Sequence, residues 1–346
     1  MEGALRVAPL LVLLRLLADH KLDVHALIRG AGCDPAQFSD PENNIDFLAV
    51  GRLLDHVATA TRLPYPGLEF GRLAGLDVLG PLGNAIRFAP DVGTALRALM
   101  LHFHLHDRGA VPTLWESRGR SMFGYTLYCP DIRGVDHIYD AALAISYNVL
   151  AELVGKKWKC IEVHMFRDPP TDEKPFREHF RSKMRFRTEH AAIVFPATCL
   201  SEPLDGADPV AYALALRKLE DMDAATENRL LSNKVRRVLY RKLIGEGGTS
   251  GIELSDIAEL FELHPRTFNR RLHVEGTTFN KLLTEARHNT ALQLLRDTHL
   301  SISDISFLLG YAETACFNRA FRRWSGTTAT KWRASNSTDQ EKSHVS

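Results

Sequence analysis

What the 346-residue sequence lacks narrows its function first. Its five cysteines (Cys33, Cys129, Cys160, Cys199, Cys316) show no CxxC spacing. Neither a zinc site nor a disulfide framework is indicated, and an odd number suits a reducing cytosol. No stretch reads as apolar enough to span a membrane. The apolar run at 7–18 is interrupted by Arg15 and followed by no small-residue cleavage site, so it reads as a buried or amphipathic helix rather than a signal peptide. A cytoplasmic protein without membrane contact is therefore expected. Gly67, Gly71, Gly75, Gly80 and Gly83 cluster without GxGxxG order or a Lys-Ser/Thr ending, so no phosphate loop is read. No Ser/His/Asp or Cys/His set can be argued from spacing, and the acidic residues lack paired-carboxylate context. His102, His104 and His106 would ligate a metal only if a strand put all three on one face. The surrounding pattern is helical, which groups only His102 with His106. No catalytic residue, metal or cofactor is expected.

Net charge is +1, from 43 Lys/Arg against 42 Asp/Glu, and by itself says little. Its distribution says more. From residue 226 onward there are 18 cations against 13 anions, and before it 25 against 29. A basic final third attached to a mildly acidic remainder suits nucleic-acid binding by the former.

The motif that organises the chain lies at 301–333. Ser301 is a helix N-cap with Asp304 three residues on, and Ile302, Ile305 and Leu309 follow on one face. Gly310 supplies a residue that tolerates positive φ where that helix must stop. A second helix follows, with Phe317 and Phe321 inward and Thr314, Asn318, Arg319 and Arg322 elsewhere. This is helix-turn-helix grammar. One such motif is as readily an ordinary helical hairpin with a solvated basic face, but the arrangement recurs upstream. Ile257, Ala258 and Phe261 match Ile305, Ser306 and Leu309. Past the turn Phe268, Asn269, Arg270 and Leu272 match Phe317, Asn318, Arg319 and Phe321. The amphipathic stretch 279–295 joins the two units.

On these residues, with Pro265-Arg266-Thr267, Ala286-Arg287, Ala291, Leu294-Leu295, Tyr311, Arg323, Gly326, Thr328, Trp332 and Arg333, the final hundred residues resemble the AraC/XylS family of bacterial transcription regulators. Three positions depart from its pattern. Glu262 stands where the first unit usually has Gly, the loop after Leu272 is one residue short, and Ala329 replaces a Pro.

The amino-terminal part alternates helical segments (5–18, 22–30, 45–60, about 91–105, 136–154) with short strand-like runs (112–117, 121–129, 159–166, and a pairing segment within 184–195). Helices on a small, mostly antiparallel sheet are expected, an α+β domain. Residues 22–72, 80–101, 176–186 and 204–209 resemble the "arabinose-binding" N-terminal domain of one branch of that family, the ornithine-type and mycobacterial virulence-type regulators. The label implies nothing about sugar here. The resemblance implies an effector-sensing and dimerisation domain at 1–225, an all-α DNA-binding domain with two helix-turn-helix units at 226–334, and a disordered tail at 335–346.

Each second helix is expected in a major groove. In the first unit Arg266, Asn269 and Arg270 share a face, with Thr267 and Arg271 beside them. Arginine suits guanine O6/N7 and asparagine suits adenine N6/N7. In the second, the family register gives Thr314, Ala315, Cys316, Asn318 and Arg319, a smaller and more apolar set, with a thymine methyl as partner for Ala315 or Cys316. Arg271, Arg322, Arg323, Lys331 and Arg333 read as phosphate contacts or solvent-facing charges. In the amino-terminal domain His104, Trp115, Tyr125 and Tyr147, with Tyr128, are candidates to line a ligand pocket, although core packing accounts for each as well.

The leading reading is a DNA-binding regulator, homodimeric and acting on RNA polymerase, controlled by a small-molecule effector. A regulator that works through dimerisation without a ligand is the first alternative. An amino-terminal enzyme carrying a DNA-binding passenger is the second.

Overall fold

The computed structural model describes residues 3–127, 132–188, 190–225, 230–245, 252–298 and 300–335. Tyr128, Cys129, the boundary residue Thr226, the glycine-rich loop after Gly245 and the tail from 336 lie outside the described residues. The chain divides into two compact units, Met1–Asp223 and Ala224–Ser346.

The first unit opens with β1 (Ala4–Arg6), α1 (Ala8–Asp19), α2 (Val24–Gly30), β2 (Asn44–Asp46) and α3 (Phe47–Ala60). β1 and β2 pair antiparallel. The helices expected at 5–18 and 45–60 are thus each preceded by a short strand. Backbone pairing claims those residues, and α3 starts only where the Asp46 carboxylate accepts the Leu48 N–H at 2.8 Å.

α4 (Pro66–Gly71), α5 (Pro81–Ile86) and α6 (Val92–His102) follow, then β3 (Ala110–Ser117), β4 (Arg120–Leu127) and α7 (Val135–Val154). The glycine cluster has a packing cause. A Cβ on Gly67 would lie 1.8 Å from the His137 carbonyl oxygen, so α4 can approach α7 only through glycine. β5 (Glu162–His164), α8 (Lys174–Phe180), β6 (Lys183–Arg185), β7 (Ala192–Pro196) and α9 (Pro209–Ala225) complete the unit.

The main sheet has the order β3-β4-β7-β5-β6, antiparallel except for the parallel pair β5–β6. This is the α+β arrangement with a mostly antiparallel sheet. Contrary to the reading of its sequence, Val135–Lys157 is long and apolar enough to cross a membrane by length and composition. In the fold that segment is the core helix α7, with Ile138, Leu143, Ala144 and Leu150 buried beside the sheet.

The second unit is helical: α10 (Leu231–Gly245), α11 (Leu254–Leu260), α12 (Pro265–Val274), α13 (Phe279–Asp297), α14 (Ile302–Leu308) and α15 (Thr314–Ser325). A last helical segment covers 329–335. The Glu275 carboxylate accepts the N–H groups of Leu231 and Ser232, both at 2.8 Å, and so satisfies two orphan donors at the start of α10. The hydroxyl of Tyr240 on α10 accepts from Asn289 of α13 at 2.8 Å.

Candidate nucleic-acid interface and ligand cavity

α11–α12 and α14–α15 are two copies of one device. Ile257 and Ala258 are buried in the first, and Ile305 and Ser306 in the second. Each turn carries a left-handed residue at the same station, Glu262 with φ 54° and Gly310 with φ 80°. The second support helix begins with a reciprocal cap. Ser301 Oγ accepts the Asp304 N–H at 3.1 Å, and the Asp304 carboxylate accepts the Ser301 N–H at 3.3 Å.

The inner faces of the two following helices are wholly buried: Phe268 and Leu272 on α12, Phe317 and Phe321 on α15. Opposite them Arg266, Arg270 and Arg271 are exposed on α12, with Thr267 and Asn269 half-buried beside them. On α15 Ala315, Arg319, Arg322 and Arg323 are exposed and Thr314, Cys316 and Asn318 half-buried. The Thr314 hydroxyl donates across the turn to Ser303 Oγ at 3.3 Å, and Arg319 donates to Cys316 Sγ at 3.1 Å. Each head therefore presents cations on the side opposite its aromatic anchor.

Arg333 departs from its expected place. Its Nε and one terminal nitrogen donate to the carbonyls of Leu295 (3.0 Å) and Leu300 (2.6 Å). Burial lowers its pKa. The last turn of α13 has carbonyls without helical partners, and the Arg333 fork satisfies that of Leu295 there and that of Leu300 in the connection that follows. Arg287 is likewise occupied within the unit, its guanidinium 5.1 Å from the centroid of Tyr311. Burial lowers the Arg287 pKa and raises that of Tyr311.

The first unit holds a partly open, apolar cavity of about 80 Å³ between the β3–β4 face and α1, α3 and α7. Of the four candidate pocket residues it brings only Tyr125 there. Side chains alternate across a strand. Tyr125 pairs with Pro112 on the cavity side, whereas Trp115 pairs with Met122 and points to the other face, against the His190 ring at 5.1 Å. Tyr147 packs edge-on against Phe180 and Trp158 and lines a separate, open and polar cleft. His104 is buried in the turn after α6, with Nε2 2.7 Å from the Asp223 carboxylate at the end of α9.

Two residues that sequence reasoning missed as pocket candidates, His106 and Asp107, are half of the four polar side chains on the cavity wall. Asp107 Oδ1 accepts from the N–H groups of Gly109 (2.8 Å) and Ala110 (3.0 Å), and Oδ2 accepts the Tyr125 hydroxyl at 2.7 Å. Burial still raises its pKa to about 7. His106 is pushed down to about 3, first by burial and then by the charge of Arg6. The imidazole is therefore neutral, and among the described residues its Nδ1 has no hydrogen-bond partner. The Asp107-Arg108-Gly109 tripeptide was the available signal, since aspartate two residues before glycine is Asx-turn chemistry. HxHxH itself pointed toward metal. The helix ends at His102 and a tight turn follows, and among the described residues no three such side chains gather into a metal-ligand group.

Ser146 also lines the cavity. Among the described residues no hydrogen bond joins it to His106, and Asp107 is committed to Tyr125 and two backbone amides. The wall thus offers polar anchors rather than an activated nucleophile.

Comparison with known proteins agrees with this arrangement in both units. The family model described as the arabinose-binding domain of AraC transcription regulators, N-terminal, matches residues 22–204, and a helix-turn-helix domain model matches 257–335. The chain is 29% identical over 286 residues to the HTH-type transcriptional regulator VirS of Mycobacterium tuberculosis, covering 82% of each chain. It is 25% identical over 324 residues to the ornithine utilization regulator of Pseudomonas aeruginosa, covering 93% of this chain and 94% of that one. Among solved structures, the transcriptional regulator CdpR of Pseudomonas aeruginosa aligns over 94% of this chain and 98% of its own, at 20% identity and a TM-score of 0.47.

Proposed function

The chain belongs to the AraC family of transcription regulators, and from that premise we propose that one protomer reads two successive major-groove segments with α12 and α15. One observation carries this reading: two twin heads, each with a buried aromatic anchor and an exposed cationic face, joined by one continuous helix. α13 has 19 residues. At 1.5 Å per residue it spans roughly 28 Å, close to the ~34 Å repeat of the duplex.

Arg266, Asn269 and Arg270 then face bases of the first box, with Thr267 and Arg271 at its edge. Thr314, Ala315, Cys316, Asn318 and Arg319 face the second, with Arg322 and Arg323 on phosphates. Arg333 is assigned a structural role and no phosphate. Selection of duplexes from a random pool by the full-length chain tests this. The expected product is a non-palindromic site of two short boxes about one helical turn apart. Binding with no sequence preference at any salt concentration would sink the reading.

The amino-terminal unit is assigned effector sensing rather than catalysis. Its partly open cavity, mostly apolar with a few polar anchors, supports a small-molecule site over a reaction centre. Self-association and contact with RNA polymerase complete the reading. Val210 and Leu214, four apart on α9 and 70% and 61% exposed, offer an apolar face for a second copy. Sedimentation velocity of the full chain tests the dimer.

A further inference from the structure

The two heads differ at the residue that opens each reading helix. His264 precedes α12 and Glu313 precedes α15, at matching distances from the buried Phe268 and Phe317. Both residues are exposed. His264 turns its Nδ1 onto the helix, where it accepts the Arg266 N–H at 3.3 Å. Among the described residues the Glu313 side chain makes no such capping bond. Its backbone carbonyl accepts the N–H groups of Cys316 (3.0 Å) and Phe317 (3.4 Å), so α15 starts without help from the carboxylate.

The capping bond fixes which nitrogen of the His264 ring carries hydrogen. A ring nitrogen that accepts holds no proton, so the hydrogen sits on Nε2 and the imidazole is neutral. The two nitrogens of the ring point away from each other. With Nδ1 on the helix, the Nε2–H donor of this exposed side chain is turned outward. The backbone at this helix start has less to offer. Pro265 has no N–H, and Arg266 already gives its own to His264. The imidazole, rather than the helix terminus, presents the donor.

Placement decides what meets it. Arg266 and Arg270 are exposed on the same helix. With α12 in a major groove, the residue just before its first turn comes to the wall of the groove, which is sugar and phosphate. Phosphate oxygens accept hydrogen bonds and carry negative charge. A fixed N–H donor suits them, and a bond to an ionised acceptor is stronger than one between neutral groups. A carboxylate in the same place repels them.

We infer that His264 donates from Nε2 to a DNA backbone phosphate at the edge of the first box, and that Glu313 denies the second head the equivalent contact. The first head then holds the duplex backbone where the second does not, and the first box anchors the site. The inference rests on the reading of α12 and α15 as the groove-entering helices.

Full-length variants test it on the duplex recovered by selection. His264→Asn and His264→Asp have one shape, and both keep an oxygen to cap the Arg266 N–H. They differ in what is turned outward, an amide donor or a carboxylate. His264→Asn should bind within about threefold of wild type and His264→Asp at least about tenfold more weakly, with base preference unchanged. A residue that merely caps the helix would leave the two variants alike in DNA affinity, and that result overturns the inference. Glu313→Gln removes the repelling charge and should strengthen binding about threefold. Unchanged or weaker binding overturns the contrast between the heads.

Two measurements on the wild-type chain decide the matter even if a variant fails to fold. Nitrogen NMR of the His264 ring should place the hydrogen on Nε2; on Nδ1 the outward donor is gone and the inference with it. Phosphate ethylation should block binding at an edge of the first box and be tolerated at the corresponding edge of the second. Sensitivity at both edges, at neither or at the second alone overturns the inference. Selection that yields no preferred sequence sinks the groove reading, whereas two boxes recovered with the wrong phosphate pattern sink this inference alone.

Discussion

Glu262 and Gly310 occupy one station in two copies of the same turn, and both have left-handed backbones, with φ of 54° and 80°. The glycine adopts this conformation freely. The glutamate does not, because its Cβ crowds the following carbonyl. The first head thus holds strain that the second lacks. Glu262→Gly should raise the stability of the second unit by about 1 kcal/mol, read as a shift in urea midpoint at unchanged slope. An unchanged or lower midpoint would mean that the glutamate side chain contributes more than its backbone costs.

The same comparison of twins isolates a second cost. Ala258 and Ser306 match, both buried, yet among the described residues the Ser306 hydroxyl has no hydrogen-bond partner. Ser306→Ala copies the first head into the second and removes an unsatisfied polar group. It should stabilise by about 1 kcal/mol and leave DNA affinity unchanged. Destabilisation on chemical denaturation would show that the hydroxyl is satisfied in solution.

Asp107 carries a pH dependence of predictable sign. Its folded pKa is raised to about 7 from the usual value near 3.8, so between these limits the folded state holds the proton more tightly than the unfolded chain. Stability from this residue is therefore present at low pH and is lost as pH rises through about 4 to 7. His106 and Arg6 face the same region, and His106, with its lowered pKa, acts in the opposite sense. A difference between variants separates them. Asp107→Asn keeps an acceptor for Gly109 and Ala110 and cannot ionise. Its melting temperature relative to wild type should therefore climb from pH 4 to pH 7. A difference that stays flat or declines would show that Asp107 is not protonated in the folded protein.

The two heads were legible because short-range rules write them. Caps, turn glycines and inward residues every three or four positions are local, and Ser301, Gly310, Phe317 and Phe321 each do in space what their spacing requires. The cavity was not legible, since its wall is assembled from segments a hundred residues apart. Whether Trp115 or Tyr125 faces inward depends on strand register, which no local pattern fixed. Arg333 was misplaced for a related reason. A terminal arginine looks the same in sequence whether it meets solvent or the open carbonyls of a helix 38 residues earlier.

Arg270 and Arg333 turn that distinction into a measurable one. Arg270 is exposed on α12, opposite Phe268 and Leu272, and its proposed partner is a base edge. Arg270→Ala should weaken binding to the selected site by about 1–3 kcal/mol, relax base preference at one position and leave thermal stability within about 0.5 kcal/mol. Arg333 has both bonded nitrogens on backbone carbonyls. Arg333→Ala leaves the Leu295 and Leu300 carbonyls short of donors, so it should cost about 1–3 kcal/mol of stability with no change in base preference. Competition binding over a salt series, paired with denaturant melts, checks both variants. A uniform loss of affinity across all sequences with a shallower salt slope would move Arg270 to a phosphate. A change in base preference with Arg333→Ala would bring that residue back to the DNA surface.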